Sequence, residues 1–590
     1  MAETEFVENV VVGSGFGGSV ATYRLAAAGR PVLLLERGKA YGPGDFPREP
    51  WDVGANFWDP SAGRLGLFDL WSFRRTDALV AAGLGGGSLI YANVLIRKPA
   101  EWFVEHRRGG RGHHPWPISR ADLDPHYDEV ERMLGAQPFP RHAPGFEGVL
   151  KTAAMERAAR SLGPDHSFHL PDLAVSFRPA PGAAPAVGAP LADTPYANYH
   201  GRPRSTCVLC GQCDIGCNSG SKNTLDHTYL SAAVDGAFPL VATPAEVRTL
   251  CEVRSVAPDG DGYVVRYVEH PPAHHDGTPH DTRSLPQRTV RCRRLVLAAG
   301  TLGTTHLLLR MRRDGELPAL SGALGSRFSG NGDHLTVLKR AREDDGRPLP
   351  LHASRGPVIT SAVRRPDGYI EDCGYPMLLN WVYQARHGLF WRAGAFAAQR
   401  IWALLTRDPN SRVGASLGMV LGKGVEAATS MPLLGIGRDV ADGRMTLTPG
   451  GYLAIRTTRS SRAYVAGVSA DMRTLAGGVN AAGFADSVWD KLGRSVTVHP
   501  LGGAPMGRSR QEGVCDHFGE VFGYDNLFVA DGAVMPGAVG SNPSLTIAAF
   551  SDRMCTAVLE GRTRAPLRGT RRRPGTPAAP GGRAGGWPTP

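Results

Sequence analysis

The sequence predicts an α/β architecture: a nucleotide-binding domain assembled from separated pieces of chain, and a second domain, largely an antiparallel sheet, held between them. Three observations predict it. A complete β-α-β unit with a glycine-rich turn opens the chain, two further apolar strands ending at Gly300 and Asp531 lie far downstream, and mixed apolar and aromatic segments fill the interval 350–480.

The elements follow in order. Residues 7–12 read as a short buried strand, Gly13-Ser14-Gly15-Phe16-Gly17-Gly18 turns the chain, and 19–28 has helical composition. Gly29 stops that helix, and 31–36 is a second buried strand. Residues 294–299 form another apolar strand that leads into a Leu-rich helix around 302–309, and 526–530 give one more. If these strands share one sheet, the second domain lies within the intervening chain. The alternation Arg444-Met445-Thr446-Leu447-Thr448 fits that domain, and the Pro- and Ala-rich stretch 174–204 reads as a long surface loop.

At 590 residues the chain exceeds what one core organises, so two or more domains are expected. Hydrophobic residues at 42% and charged residues at 21% fit a globular enzyme rather than a disordered or fibrous chain. No stretch approaches the roughly 18–20 apolar residues that span a bilayer, and the N-terminus has no basic segment ahead of an apolar run. A cytoplasmic protein is the expectation. The net charge of +11 raises the question of a polyanionic partner, but Arg562, Arg564, Arg568, Arg571, Arg572, Arg573 and Arg583 follow Glu560 without one acid among them. That tail, 563–590, is expected to be disordered and solvated, with transient contact to an anionic membrane surface and no specific nucleic-acid site.

Gly13-x-Gly15-x-x-Gly18 has the context that makes a dinucleotide fingerprint: a strand before it, a helix after it and Glu36 at the end of the next strand. Gly13 permits the turn, Gly15 lets the backbone approach a pyrophosphate, and Gly18 allows close helix–strand packing. Glu36 would accept from a ribose diol. The motif alone leaves FAD and NAD open. A second cluster, Gly83-Leu84-Gly85-Gly86-Gly87-Ser88, precedes Tyr91-Ala92-Asn93, and its bare backbone suits either a flat ring or a hinge. Near the end, Val498-His499-Pro500-Leu501-Gly502-Gly503 is followed by an Ala530-Asp531-Gly532 step and by Ser541-Asn542-Pro543.

These segments, with 295–309 and 324–334 between them in order, resemble the signatures of the glucose–methanol–choline (GMC) oxidoreductases, and within that family the bacterial cholesterol-oxidase-like branch. The resemblance implies an FAD-binding Rossmann-like domain of GMC type over 5–335 and 486–562, with an inserted Cys-rich loop at 205–225 and a substrate domain over 336–485. It places Gly85, Gly86, Gly87, Ser88 and Asn93 along the flavin, and Asp531 and Gly532 at its ribityl and pyrophosphate region. His499 is then the base that takes a hydroxyl proton, since an imidazole titrates near working pH. Asn542 orients the hydroxyl and hydrogen-bonds the developing alkoxide. Glu371, in Tyr369-Ile370-Glu371-Asp372, matches the branch's substrate-side glutamate, an ordinary exposed acid pair being the other reading. The expected reaction is oxidation of a bulky, sterol-like alcohol to a ketone with O2 as acceptor. Two alternatives stay open: a dehydrogenase passing electrons to an iron–sulfur cluster, quinone or other carrier, and a redox-inert FAD-binding scaffold.

Of nine cysteines, four fall as Cys207-x2-Cys210-x2-Cys213-x3-Cys217. The spacing is that of an iron–sulfur site, so a bound cluster and a metal-free packed loop are both carried forward. The crowding argues against a secreted disulfide framework.

Overall fold

The structure is a computed structural model that describes residues 5–48, 50–106, 113–193, 198, 201, 203–234, 241–375, 428–487 and 493–563. The basic tail beyond 563 therefore lies outside the described residues, as does 376–427 within the expected substrate domain.

The four apolar strands do share a sheet. Glu5–Val12 pairs in parallel with Val32–Leu35 on one side and with Gln287–Leu297 on the other. Leu527–Val529 then adds in parallel to Gln287–Leu297. Glu246–Arg248 extends the parallel side, and the hairpin Cys251–Asp259 and Gly262–Glu269 closes the other edge antiparallel. Val10, Val11, Leu33, Leu34, Leu295 and Leu297 are completely buried, as strands covered on both faces require. The helices Phe16–Ala27, Gly300–Arg313 and Pro543–Leu559 cover this sheet through one hydrophobic core. The carboxyl ends of Glu5–Val12, Gln287–Leu297 and Leu527–Val529 therefore carry Gly13, Gly300 and Asp531 to one rim, where ligands of parallel sheets gather.

A six-stranded antiparallel sheet stands opposite that rim. Its order is Ser167–His169, Ala362–Arg365, Gly368–Asp372, Met431–Gly437, His334–Lys339 and Gly483–Asp486. One face is covered by Lys151–Ala159 and Arg462–Gly478 through Met155, Val468, Met472 and Leu475, which pack on Val363, Ile370 and Leu433. Strand alternation puts Tyr369 and Glu371 on the other face, beside Leu434 and Ile436.

Two expectations are corrected. The alternating stretch at 444–448 is a strand, Arg444–Leu447, but it pairs with Leu453–Arg456 as a separate hairpin. Met445, Leu453 and Ile455 join the core of the nucleotide-binding domain, so the hairpin is not part of the six-stranded sheet. The start of the presumed surface loop is core: Val175 and Phe177 are buried, and Phe177 packs edge-on against Phe139 and Phe146.

Candidate functional site

A cavity of about 810 Å³ is bordered by both sheets, within the size range of cofactor and ligand pockets. Gly13, Gly15, Glu36, Gly86, Gly87, Asp531, Gly532, His499 and Asn542 all line it, together with Leu335, Val358, Ile359, Leu434 and Val498. Gly18, Gly85, Ser88, Asn93 and Glu371 stand behind its wall.

At the fingerprint end, the helix Phe16–Ala27 starts behind Gly15, which offers no side-chain cap, and there is no acid in its first turn. First-turn amides and the helix dipole are thus left for an anion. Packing here is backbone on backbone. A Cβ on Gly18 would lie 1.8 Å from the Gly13 carbonyl oxygen, and one on Gly86 would lie 2.7 Å from Gly15 Cα. The second glycine cluster therefore rests on the first. Ser14 ties them: its hydroxyl accepts from the Gly85 amide at 2.9 Å and donates to Glu36 at 2.6 Å. Glu36 also accepts from the Ser14 and Gly38 amides. Three donors leave a carboxylate about one of its four lone-pair sites, so Glu36 serves the turn as well as any ribose. The Ser88 hydroxyl donates to the Gly85 carbonyl and accepts from the Leu225 amide. Asn93 has a left-handed backbone, φ 71°, and neither polar atom of its buried amide has a partner among the described residues. Asp531 accepts from the Ala533 amide and Thr304, and burial pushes its carboxyl up to about 6.

At the other end, His499 leaves the short strand Ser495–Thr497. Its Nδ1 lies 2.7 Å from Asp333 Oδ1, and Asp333 Oδ2 is fixed by the Thr497 hydroxyl and the Val498 amide, each at 2.9 Å. An ionised carboxylate only accepts, so Nδ1 carries the proton and Nε2 of the neutral ring is the basic nitrogen. Burial alone would lower the His499 pKa; the Asp333 charge and hydrogen bond, with a contribution from Glu371, overcome that and raise it. Asp333 was not singled out from sequence, although it sits in the segment 324–334 that carries the family resemblance.

Asn542 precedes the helix Pro543–Leu559 without a side-chain capping bond, and Pro543 stands in the first turn, where its missing N–H costs nothing. Its loop is held by buried Lys98, which donates to the Ala538 and Val539 carbonyls at 2.8 and 2.9 Å. Asn331 bonds both the Gly540 amide and the Ser541 carbonyl. Asn542 Nδ2 donates to Glu371 Oε2 at 3.4 Å. Glu371 is not an exposed acid: it is 0% exposed, and burial pushes its carboxyl up to about 8 against the opposing pull of His499 and Asn542. Glu371 Oε1 and Asn542 Oδ1 have no partner among the described residues.

Residues 11–66 match a model of NAD(P)-binding Rossmann-like domains and residues 455–551 a model named GMC oxidoreductase. A cholesterol oxidase of Mycobacterium tuberculosis is 30% identical over 555 residues, covering 92% of this chain and 89% of the other. The chain belongs to the GMC oxidoreductase family. Its branch is the cholesterol-oxidase-like one: a cholesterol oxidase of Acinetobacter baumannii is 28% identical over 558 residues, 92% of this chain and 93% of the other. A paromamine 6'-oxidase of Streptomyces fradiae is 27% identical over 582 residues, 93% and 90%. The crystal structure of pyridoxine 4-oxidase from Mesorbium loti has the same fold, with a TM-score of 0.51 at 18% identity over 93% of this chain and 98% of that one. The protein is thus an FAD-binding, alcohol-oxidising enzyme. The uncapped helix start and the backbone-packed glycines fit that cofactor.

Of the two readings of the cysteine run in this GMC oxidoreductase, the arrangement supports the metal-free packed loop and gives no support to a cluster. Among the described residues no three His, Cys, Asp or Glu side chains converge where a metal ion could sit. Cys207 and Cys213 are buried while Cys210 is exposed. Burial raises all three thiols, Cys213 to about 11, whereas the thiolate is the ligand form. The loop is shaped by buried cations instead. Lys222 Nζ donates to the Leu89, Tyr91 and Cys213 carbonyls, and Arg48 bonds Gln212 and the carbonyls of Ile215 and Gly216. Among the described residues no helix is long and apolar enough to cross a membrane.

Proposed function

We propose that this enzyme oxidises the secondary hydroxyl of a bulky, sterol-like alcohol to a ketone, with O2 as the final acceptor. FAD, when bound, supplies the hydride acceptor. His499 takes the hydroxyl proton on Nε2 as the carbinol hydride departs. Asp333 acts as a positioning residue: it fixes the tautomer and stabilises the imidazolium that forms. Asn542 directs one amide N–H to Glu371, and its second N–H serves the substrate oxygen as negative charge develops there. Burial disfavours the charged form of Glu371, which limits negative charge beside the developing alkoxide.

One observation carries this reading: His499, paired with Asp333, and Asn542 line the same cavity as the dinucleotide fingerprint, though they come from distant parts of the chain. The sterol assignment is supported by the apolar wall of Leu335, Val358, Ile359, Leu434 and Val498 and by the relatives that are cholesterol oxidases. The test is anaerobic addition of a 3β-hydroxysterol to the flavin-loaded protein, followed by oxygen. Bleaching of the flavin and then peroxide release are expected. Bleaching only by smaller alcohols removes the sterol, and reduction of a dye without peroxide removes O2.

A further inference from the structure

His499 and Asn542 reach the cavity on separate segments. His499 follows the strand Ser495–Thr497. Asn542 ends a stretch, 535–542, that forms no helix or strand, and its own side chain makes no capping bond to the helix that follows. Neither segment by itself sets the spacing between the imidazole and the amide.

The loop 329–333 grips both. On one side Asp333 holds the His499 ring through Nδ1, and Ser329 exchanges two backbone hydrogen bonds with Leu501, at 2.9 and 3.1 Å. On the other side Asn331 turns its amide to the chain just ahead of Asn542. Its Oδ1 accepts from the Gly540 amide and its Nδ2 donates to the Ser541 carbonyl, both at 2.8 Å. Two bonds to adjacent residues fix the rotation of that chain as well as its distance. Lys98 secures the same stretch farther back, at Ala538 and Val539, whereas Asn331 joins it to the loop that carries Asp333.

Asn331 is itself firmly seated. It is fully buried, with a left-handed backbone at φ 55° that asparagine adopts more readily than most residues. Its N–H donates to the Ser329 hydroxyl and its carbonyl accepts from the Gly437 amide, each at 2.9 Å. Asp439 anchors the start of the loop by accepting from the Ser329 hydroxyl and the Gly330 amide.

We propose that Asn331 is a positioning residue: through Gly540 and Ser541 it sets where the Asn542 amide stands relative to His499. The inference rests on reading His499 and Asn542 as the base and the amide of alcohol oxidation.

The test compares the flavin-loaded wild type with two variants. Asn331→Gly removes both amide bonds yet suits the left-handed backbone; Asn331→Asp keeps the size and the acceptor but loses the Nδ2 donor. Crystal structures of the loaded variants read the position without turnover. The Asn542 amide is expected to leave Glu371, its present partner, while the His499–Asp333 pair stays as in the wild type. Anaerobic flavin reduction is expected to slow by about 10- to 100-fold, since a misplacement of about 1 Å costs up to about 100-fold. The acid limb of the Asn331→Gly pH profile stays where it is. Combining Asn331→Gly with Asn542→Ala costs no more than Asn542→Ala alone, because the two act as a unit. An Asn542 amide that keeps its place, a combined variant slowed by the product of the single losses, a displaced acid limb, or flavin loss in both variants overturns the proposal. A displaced amide with reduction at the wild-type rate leaves the Asn331 assignment standing and removes the catalytic role of Asn542 instead.

Discussion

Asp333→Asn is the sharpest perturbation of the site. It keeps the size of the side chain but removes the negative charge from beside His499 Nδ1, at 2.7 Å. A hydrogen bond to a charged group contributes about 1.5–3 kcal/mol, and here most of it is felt when the ring becomes an imidazolium. That corresponds to a loss of about 10- to 150-fold in kcat/KM, since about 1.4 kcal/mol is tenfold. The sign of the pH effect is independent of that magnitude. Asp333 raises the His499 pKa against burial; without it the neutral, basic ring persists to lower pH, so the acid limb of kcat/KM moves to lower pH. The assay is anaerobic flavin reduction by saturating and limiting alcohol between pH 5 and 9, with flavin content measured on the same samples. A slower variant with a downshifted limb and full flavin is expected. A variant with wild-type rate and an unmoved limb would refute the positioning role.

Other outcomes follow from the same geometry. Asn542→Ala retains flavin but loses about 100- to 1000-fold in kcat, the scale of one removed oxyanion donor; an unchanged kcat counts against the amide. Gly18→Ala forces a Cβ to within 1.8 Å of a backbone oxygen, so it is expected to lower flavin content and thermal stability together, and a fully loaded, equally stable variant contradicts that packing. Glu371, protonated in the fold up to about 8 against an ordinary 4.5, favours the folded state below pH 4.5 and loses that contribution as pH rises toward 8. Glu371→Gln therefore flattens the fall of Tm over that window, and identical slopes would show that the carboxyl ionises normally. Purified protein is expected to carry flavin without iron, read by absorption and metal analysis; stoichiometric iron would restore the cluster.

What was legible in sequence follows from how local each signal is. The Gly13–Gly18 turn, its flanking strands and the Asp531 step are short-range patterns with strict steric reasons, and they led directly to strands that share a sheet. His499 and Asn542 were found because their neighbours, Pro500 to Gly503 and Pro543, make a segment specific to a family. The partners of these residues were not legible. Asp333 reaches His499 across 166 residues, and no local pattern marks such a pair. Glu371 could be named only by likeness, since its burial depends on strand pairing from Ala362 to Gly437. The four cysteines left two readings open because spacing records distance along the chain, not whether a loop winds about a point; Lys222 and Arg48 hold the carbonyls of this one. Strand alternation at 444–448 signalled a strand correctly but could not say which sheet would take it.

The central claim is that the imidazole at 499 removes the hydroxyl proton. Single-turnover reduction of the flavin under anaerobic conditions, comparing wild type with His499→Asn at one substrate and across pH, tests it most directly. The account predicts a fall of about 100- to 10,000-fold in the reduction rate, with flavin content retained and the rate no longer dependent on pH through the imidazole range. Reduction at the wild-type rate, with the wild-type pH profile intact, would contradict it.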